Sequence, residues 1–161
     1  MHRLTTAFAG LLMALTSGAT ANAQSHPNFS GTWILEKTKS SAPMIPDSSE
    51  IVVSQSDKSL TVARTAKTAA GTQSGKLVYN IEGSPSTNSV TAPGGAAIEF
   101  KSTTTWDGPT LVITTTADLN GGLNQVERWT MSDGGKQLTI NGDIAVSGQK
   151  ATAKMVYSKK P

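Results

Sequence analysis

Apolar and polar side chains alternate with a period of two along almost the whole chain after residue 30. In one such segment Ile98, Phe100, Ser102, Thr104 and Trp106 alternate with outward-facing neighbours. Thr, Val and Ile dominate these segments, and β-branched residues favour strands. Because successive side chains of a strand point to opposite faces, this period predicts strands with one buried face. We therefore expect an all-β protein.

The alternation predicts nine strands. They lie near residues 31–36, 50–56, 59–68, 73–82, 97–106, 110–118, 123–131, 136–144 and 149–158. Short turns rich in Gly, Asn and Asp separate most of them and indicate antiparallel hairpins. A meander of eight or nine strands hides its edges by closing, so we expect a single antiparallel up-and-down β-barrel. A two-sheet sandwich is the alternative, although sandwiches usually need Greek-key crossings.

Two predicted connections are long and rich in Pro and Ser. Residues 38–49 contain Pro43 and Pro46, and residues 83–95 contain Pro85 and Pro93. The first has room for a short helical turn. Long loops in a compact domain are often functional or mobile, and plain connections are the alternative.

Residues 1–23 have the pattern of a secretory signal peptide. Arg3 supplies a basic start, residues 7–15 are apolar, and residues 21–23 form a small-x-small cleavage site. The apolar run is too short to span a bilayer. We expect a signal peptide at 1–23, an N-terminal segment at 24–30 and a barrel domain at 31–158. The mature protein is then secreted or periplasmic, with no membrane span.

The composition argues against several functions. The chain has no Cys and two His, and the two His lie near the N-terminus. Thiolate catalysis, a Cys-zinc site, a Ser-His-Asp triad and a multi-His metal site are therefore not expected. A formal net charge of +3 is scattered along a chain with few aromatic residues, which does not suit nucleic-acid binding. We predict no catalysis, cofactor or metal.

Two segments carry a family resemblance. The sequence NFSGTW at residues 28–33 resembles the Gly-x-Trp start of the calycin superfamily, which includes lipocalins and fatty-acid-binding proteins. With the sequences ERW at 127–129 and DGGKQLTI at 133–140, the mature chain resembles small secreted bacterial lipocalin-like proteins of unknown function. The chain has no Thr-Asp-Tyr motif, no cystine and no C-terminal helix pattern, in which it departs from lipocalins.

The resemblance implies a barrel that Trp33 closes at one end, with an apolar ligand cavity inside. In lipocalins a basic residue from a late strand packs on this Trp. The resemblance implies that Arg128 or Lys154 takes that role here.

The bulky apolar residues define the predicted inward face. Polar residues in phase with them include Gln55, Arg64 and Glu127. Since a buried charge is costly unless paired, Arg64 and Glu127 either pair, anchor a ligand, or lie at a barrel mouth. The candidate ligand-binding residues are Trp33, Arg64, Tyr79, Phe100, Ser102, Thr104, Trp106, Thr115, Glu127, Trp129 and Tyr157. The alternative is that they only fill the barrel, and if Arg128 points inward, Trp129 is exposed.

Three functional hypotheses follow. The first is an exported, non-enzymatic barrel that binds a small apolar or amphiphilic ligand. The second is a protein-interaction or protease-inhibitor module, in which residues 24–28 or the long loops contact a protein partner. The third is an outer-membrane barrel, which the outward-facing Lys67, Lys101, Lys150 and Lys154 disfavour, because Lys is costly in lipid.

Overall fold

The computed structural model describes residues 26–91, 97–119 and 121–161 of the chain. Ten strands lie in these ranges, and their inward faces carry the bulky apolar residues. They are β1 Gly31–Leu35, β2 Ser48–Gln55, β3 Ser59–Thr68, β4 Gly71–Asn80, β5 Ser86–Thr91, β6 Ala97–Asp107, β7 Thr110–Ala117, β8 Leu123–Ser132, β9 Gln137–Val146 and β10 Gln149–Lys159. The predicted signal peptide at 1–23 lies outside the described residues.

The ten strands form one antiparallel sheet in the order β4-β3-β2-β1-β10-β9-β8-β7-β6-β5. Strands that follow each other along the chain are therefore paired, except β4 and β5, which are the two edges of the sheet, and β1 pairs with β10 to join the two halves. The sheet curls until β4 faces β5 and β6, so the molecule is a nearly closed up-and-down barrel. The predicted fold class is confirmed. No helix in the described ranges is long and apolar enough to cross a membrane.

The strand count corrects the expectation of eight or nine, because β5 lies inside the connection predicted at 83–95. The sequence of β5, STNSVT, offers Val90 as its single bulky apolar residue, so it lacks the alternation that revealed the other strands. The other long connection, between β1 and β2, contains a 3₁₀ turn at Lys37–Lys39. The sequence allowed a short helical turn in this connection. Its Ser41 then pairs with Lys154 in an isolated bridge.

The core lies inside the barrel and follows the predicted parity. Trp33, Ile51, Leu60 and Leu111 are fully buried, whereas the exposed large apolar residues of the strands, Ile34, Val52 and Val78, lie on the outward parity. Phe29, which precedes the predicted barrel domain at 31–158, is also fully buried. Core formation therefore includes the segment that precedes the first strand.

The two ends of the barrel differ. At one end, residues 26–30 run under the barrel, and Phe29 packs against the rings of Trp106 and Trp129. At the other end lie the β3–β4, β7–β8 and β9–β10 hairpins and the segment Pro43–Pro46. Because antiparallel neighbours alternate in direction, these hairpins share one rim. We call the first end closed and the second end open.

Candidate ligand-binding cavity

A cavity of about 300 Å³ occupies the barrel beneath β3, β4, β5 and β6. Its apolar wall includes Val62, Leu77 and Phe100, and Trp129 lines it from the opposite side of the barrel. This volume lies at the lower end of the range for small-molecule sites. The barrel interior is therefore not filled by its own side chains.

A second cavity of about 350 Å³ adjoins the first, toward β2, β9 and β10. Its walls are mostly apolar and include Ile140, Met155 and Tyr157, with Pro43 and Met44 at the open end. Four residues line both cavities, so the two are compartments of one interior: Arg64, Ala66, Gln125 and Glu127. We call Arg64, Gln125 and Glu127 the polar bridge.

Hydrogen bonds fix the carboxylate of the polar bridge. Glu127 Oε1 accepts a bond from Gln125 Nε2 at 2.7 Å, and its Oε2 accepts one from Trp129 Nε1 at 3.1 Å. All three side chains are on β8 at every second position, so strand geometry places them on the inner face. The negative charge of Glu127 thus has two donors before any ligand binds.

Arg64 enters the interior from β3 and has a different environment. It lines both cavities, yet the residue remains exposed to solvent at the open end. Within the described part of the chain it forms no ion pair, so the proposed pairing of Arg64 with Glu127 is not formed. The guanidinium is available to a polar group that enters the barrel.

Tyr79 contributes a neutral hydroxyl to the first cavity. Burial raises the pKa of this hydroxyl, the charge of Glu127 raises it further, and the charge of Arg64 acts in the opposite direction. The combined effect keeps the pKa well above its ordinary value of 10.0. Tyr79 therefore stays protonated at neutral pH and serves as both donor and acceptor.

Two glycines leave space beside the charged side chains. Gly75 is paired with Arg64 across β3 and β4, and Gly142 is paired with Glu127 across β8 and β9. Both line a cavity, and neither has the positive φ that would require glycine. A Cβ at Gly75 would meet no atom within 4 Å. Neither glycine was predicted from the sequence, because an isolated glycine in a strand does not reveal which space it opens.

The predicted site residues fall into three groups. Most line the first cavity: Arg64, Tyr79, Phe100, Ser102, Thr115, Glu127 and Trp129. Tyr157 lines the second. Trp33, Thr104 and Trp106 line neither cavity. Thr104 Oγ1 instead donates a 2.6 Å bond to the carbonyl of Asn80, and Trp106 stacks on His26 at the closed end.

The basic residue on Trp33 is Lys159, which corrects the expectation of Arg128 or Lys154. Lys159 Nζ lies 5.3 Å from the Trp33 ring centroid, and the two residues are paired across β1 and β10. Arg128 points outward and forms a 2.7 Å ion pair with Asp143. Trp129 is accordingly buried, which settles the orientation that the sequence left open.

The N-terminal segment is bound to the barrel. Gln55 binds this segment through both polar atoms of its side-chain amide. Its Oε1 accepts a hydrogen bond from the Phe29 N–H at 2.9 Å, and its Nε2 donates one to the Pro27 carbonyl at 3.1 Å. Trp33 Nε1 also donates to the Phe29 carbonyl at 2.9 Å. Residues 27–29 therefore seal the closed end of the barrel.

A side chain bridges the gap between β4 and β5, the two edge strands of the sheet. Asn88 on β5 accepts a 2.7 Å bond from the Val78 N–H through Oδ1 and donates a 3.0 Å bond to the Val78 carbonyl through Nδ2. Among the strands that the structure describes, no backbone ladder joins β4 to β5. The Asn88 amide thus replaces one rung of that ladder beside the first cavity.

In the described ranges, His, Asp and Glu form no group of three that could hold a metal ion. The lining of the two cavities offers hydrogen-bonding groups, one cation, one carboxylate and apolar surface.

Solved structures resemble this chain in their fold. Secretory abundant heat soluble protein 4 from Ramazzottius varieornatus superposes with a TM-score of 0.54 at 13% identity, covering 83% of this chain and 95% of that chain. This is the calycin fold. The predicted calycin-like barrel is thereby confirmed as a fold, and a shared fold does not fix function.

Two further structures have lower scores. Zebrafish ileal bile acid-binding protein complexed with cholic acid gives a TM-score of 0.48 at 16% identity, over 82% of this chain and 98% of that chain. The siderocalin Ex-FABP gives a TM-score of 0.44 at 11% identity, over 82% of this chain and 70% of that chain. The chain matches no protein-family model and no curated protein.

Proposed function

We propose that this calycin barrel binds a small amphiphilic molecule in its interior and catalyses no reaction. The observation that carries the proposal is the cavity of about 300 Å³ with an apolar wall and an ion-pair-free Arg64. An eight-stranded barrel is just wide enough for its side chains to fill, and ten strands enclose more. A barrel built only for stability would close this space, because cavities destabilise.

The lining favours a ligand with both apolar and polar parts. Val62, Leu77 and Phe100 offer apolar surface, whose contact with a ligand contributes roughly 25 cal/mol per Å². Arg64 and Tyr79 offer hydrogen bonds in a partly dry site, where such bonds discriminate well. A purely apolar ligand would offer no partner to the buried Tyr79 hydroxyl and none to the Arg64 guanidinium.

Titration with a dansyl-labelled fatty acid tests the proposal. We expect its fluorescence to rise on binding, and unlabelled amphiphiles to displace it. Phe100→Glu places a charge against the apolar wall, and we expect it to weaken binding at least tenfold. The matched control is Thr103→Glu, which adds the same charge to an exposed position on β6.

A folded protein that binds no member of a panel of fatty acids, amides and alcohols would overturn the proposal. Equal loss of binding in the Phe100 and Thr103 variants would place the ligand outside the barrel and would also contradict it.

We also propose that the protein is exported, to the periplasm or to the medium. The support is the signal-peptide pattern of residues 1–23. N-terminal sequencing of the protein from a bacterial expression host is expected to begin at Gln24. Retention of residues 1–23 in the soluble protein would contradict export by this route.

A further inference from the structure

From the arrangement of the two cavities we infer that the ligand carries its polar group in the middle, with an apolar arm on each side. The inference rests on the proposed function and specifies the class of amphiphile. A ligand with a polar head at one end and a single tail is the alternative that the structure disfavours.

The polar bridge stands between two apolar compartments. The first compartment is lined by Leu77 and Phe100, and the second by Ile140 and Met155. A single-tailed ligand with its head at the polar bridge would fill one compartment and leave the other empty. A ligand with a central polar group buries apolar surface in both, and the hydrophobic contribution grows with the area removed from water.

Ser49 is an independent indication that a polar group binds here. It is 4% exposed and lines the second cavity, and its Oγ is the buried side-chain atom without a hydrogen-bond partner in the described residues. Ser49 lies opposite Ala66 on β3 and is therefore diagonal to Arg64. Diagonal neighbours on one sheet face are about 7–8 Å apart. The free hydroxyl thus borders the polar bridge on the side of the second compartment.

The charges at the bridge favour a neutral polar group. Arg64 supplies a cation and Glu127 an anion, so their effects oppose each other on a charged ligand group, whereas a dipole is stabilised when its negative end lies near Arg64 and its positive end near Glu127. Tyr79 and Ser49 add hydroxyls that donate and accept. An amide or an ester matches this set because its carbonyl accepts from Arg64 or a hydroxyl, and an amide N–H also donates.

Small residues make room for the two arms. Gly75 lies beside Arg64 in the first compartment, and Gly142 and Ala153 face each other across β9 and β10 in the second. A larger side chain at either place would shorten the space for one arm without changing the polar bridge. The two compartments can therefore be blocked separately.

Two isomeric amides test the inference. N-hexylhexanamide and dodecanamide have the same formula and differ in the position of the amide group. Displacement of the dansyl-labelled fatty acid by each gives the two dissociation constants. We expect N-hexylhexanamide to bind at least tenfold more tightly.

Variants show whether both compartments are used. Gly75→Val narrows the first and Ala153→Leu narrows the second, and we expect each to remove the preference for N-hexylhexanamide. The matched control, Thr152→Leu, adds apolar volume to the outer face of β10, where the residue is exposed, and should keep the preference. Thermal unfolding of each variant establishes that it is folded, and either blocking variant suffices for the test.

The outcomes separate the two proposals. Equal affinity for both isomers, or tighter binding of dodecanamide, overturns the central-group inference and leaves amphiphile binding intact. A preference that survives in a folded blocking variant also overturns it. If neither isomer nor the dansyl-labelled fatty acid binds, the proposed function fails and the inference fails with it.

Discussion

Tyr79, Arg64 and Glu127 illustrate how individual residues set the character of the interior. The Glu127 carboxylate is held by two donors, while Arg64 keeps contact with water at the open end. Tyr79 is 5% exposed and interacts with both charges. A phenol is neutral at neutral pH and the raised pKa extends this range into alkali, so the proposed ligand meets one fixed anion, one cation and a hydroxyl at this point.

The raised pKa of Tyr79 predicts a loss of stability in alkali. The folded state holds this proton more tightly than the unfolded state, whose pKa is near 10. The contribution of protonated Tyr79 to the free energy of unfolding is therefore fully present below about pH 10, and it is lost as the pH rises above this value. Between the two pKa values the free energy of unfolding should fall by about 1.4 kcal/mol per pH unit from this group.

Urea unfolding of the wild type and of Tyr79→Phe between neutral pH and pH 11 measures this effect. The variant lacks the ionisable group, so its stability should decline less steeply above pH 10. Comparing slopes removes any constant cost of the substitution. Parallel curves for the two proteins would contradict the assignment.

In the ligand-free protein, the unpaired hydroxyl of Ser49 is predicted to lower the free energy of unfolding. A buried hydroxyl without a partner costs about 1–3 kcal/mol relative to a satisfied one. We expect Ser49→Ala to leave the free energy of unfolding unchanged or to raise it by about 1 kcal/mol. Chemical denaturation measures the change, with the exposed Ser54→Ala on the same strand as the control. A loss above about 1 kcal/mol would show that the hydroxyl is satisfied.

The candidate site was predicted from strand parity, and the errors have one physical cause. Parity correctly placed Arg64 and Glu127 on the inner face. It did not distinguish depth along the barrel axis, so Trp33 and Trp106 were grouped with the cavity although they lie toward the closed end. The partner of Trp33 was also missed, because Lys159 reaches it through pairing between the two ends of the chain.

At the scale of elements, the junction between β4 and β5 is the weak point of the barrel. Asn88 supplies both hydrogen bonds to Val78 that a neighbouring strand would otherwise supply. Asn88→Ala should therefore lower the free energy of unfolding by about 1–3 kcal/mol, the value of two hydrogen bonds. It should also speed hydrogen exchange of the Val78 amide, because that N–H loses its acceptor.

Denaturation and hydrogen exchange of the Asn88→Ala protein check both effects. Ser89→Ala changes the exposed neighbour on β5 and is the control. Unchanged exchange at Val78 would show that the amide is protected by something other than Asn88.

The strands that were predicted share strong alternation, and the missed strand lacks it. In β7, Leu111 and Ile113 alternate with Val112 and Thr114 and mark the element clearly. In β5 the inward positions include Asn88, whose burial depends on a hydrogen bond to a distant strand. A local pattern cannot reveal burial of that kind, because the compensating partner is known only once the fold is formed.

At the scale of the whole molecule, one end of the barrel is sealed and the other gives access to the interior. The seal is the N-terminal segment, in which Gln55 binds residues 27–29 and Phe29 fills the space below Trp106 and Trp129. Arg64 and the segment Pro43–Pro46 lie at the open end. We therefore expect the proposed ligand to enter at the end where the polar bridge meets solvent.

Phe29 should accordingly be a stability determinant of the entire barrel, although it precedes the first strand. Its side chain is fully buried, so Phe29→Ala removes the apolar contact and leaves a cavity at the closed end. We expect a loss of about 3–5 kcal/mol in the free energy of unfolding, measured by urea denaturation. Met44→Ala is the control, because Met44 is 78% exposed at the open end and its loss should cost little. A loss below about 1 kcal/mol for Phe29→Ala would mean that the barrel is stable without its seal. A loss of the expected size with dansyl-labelled fatty acid still bound would show that the seal stabilises the fold while the ligand occupies the opposite half.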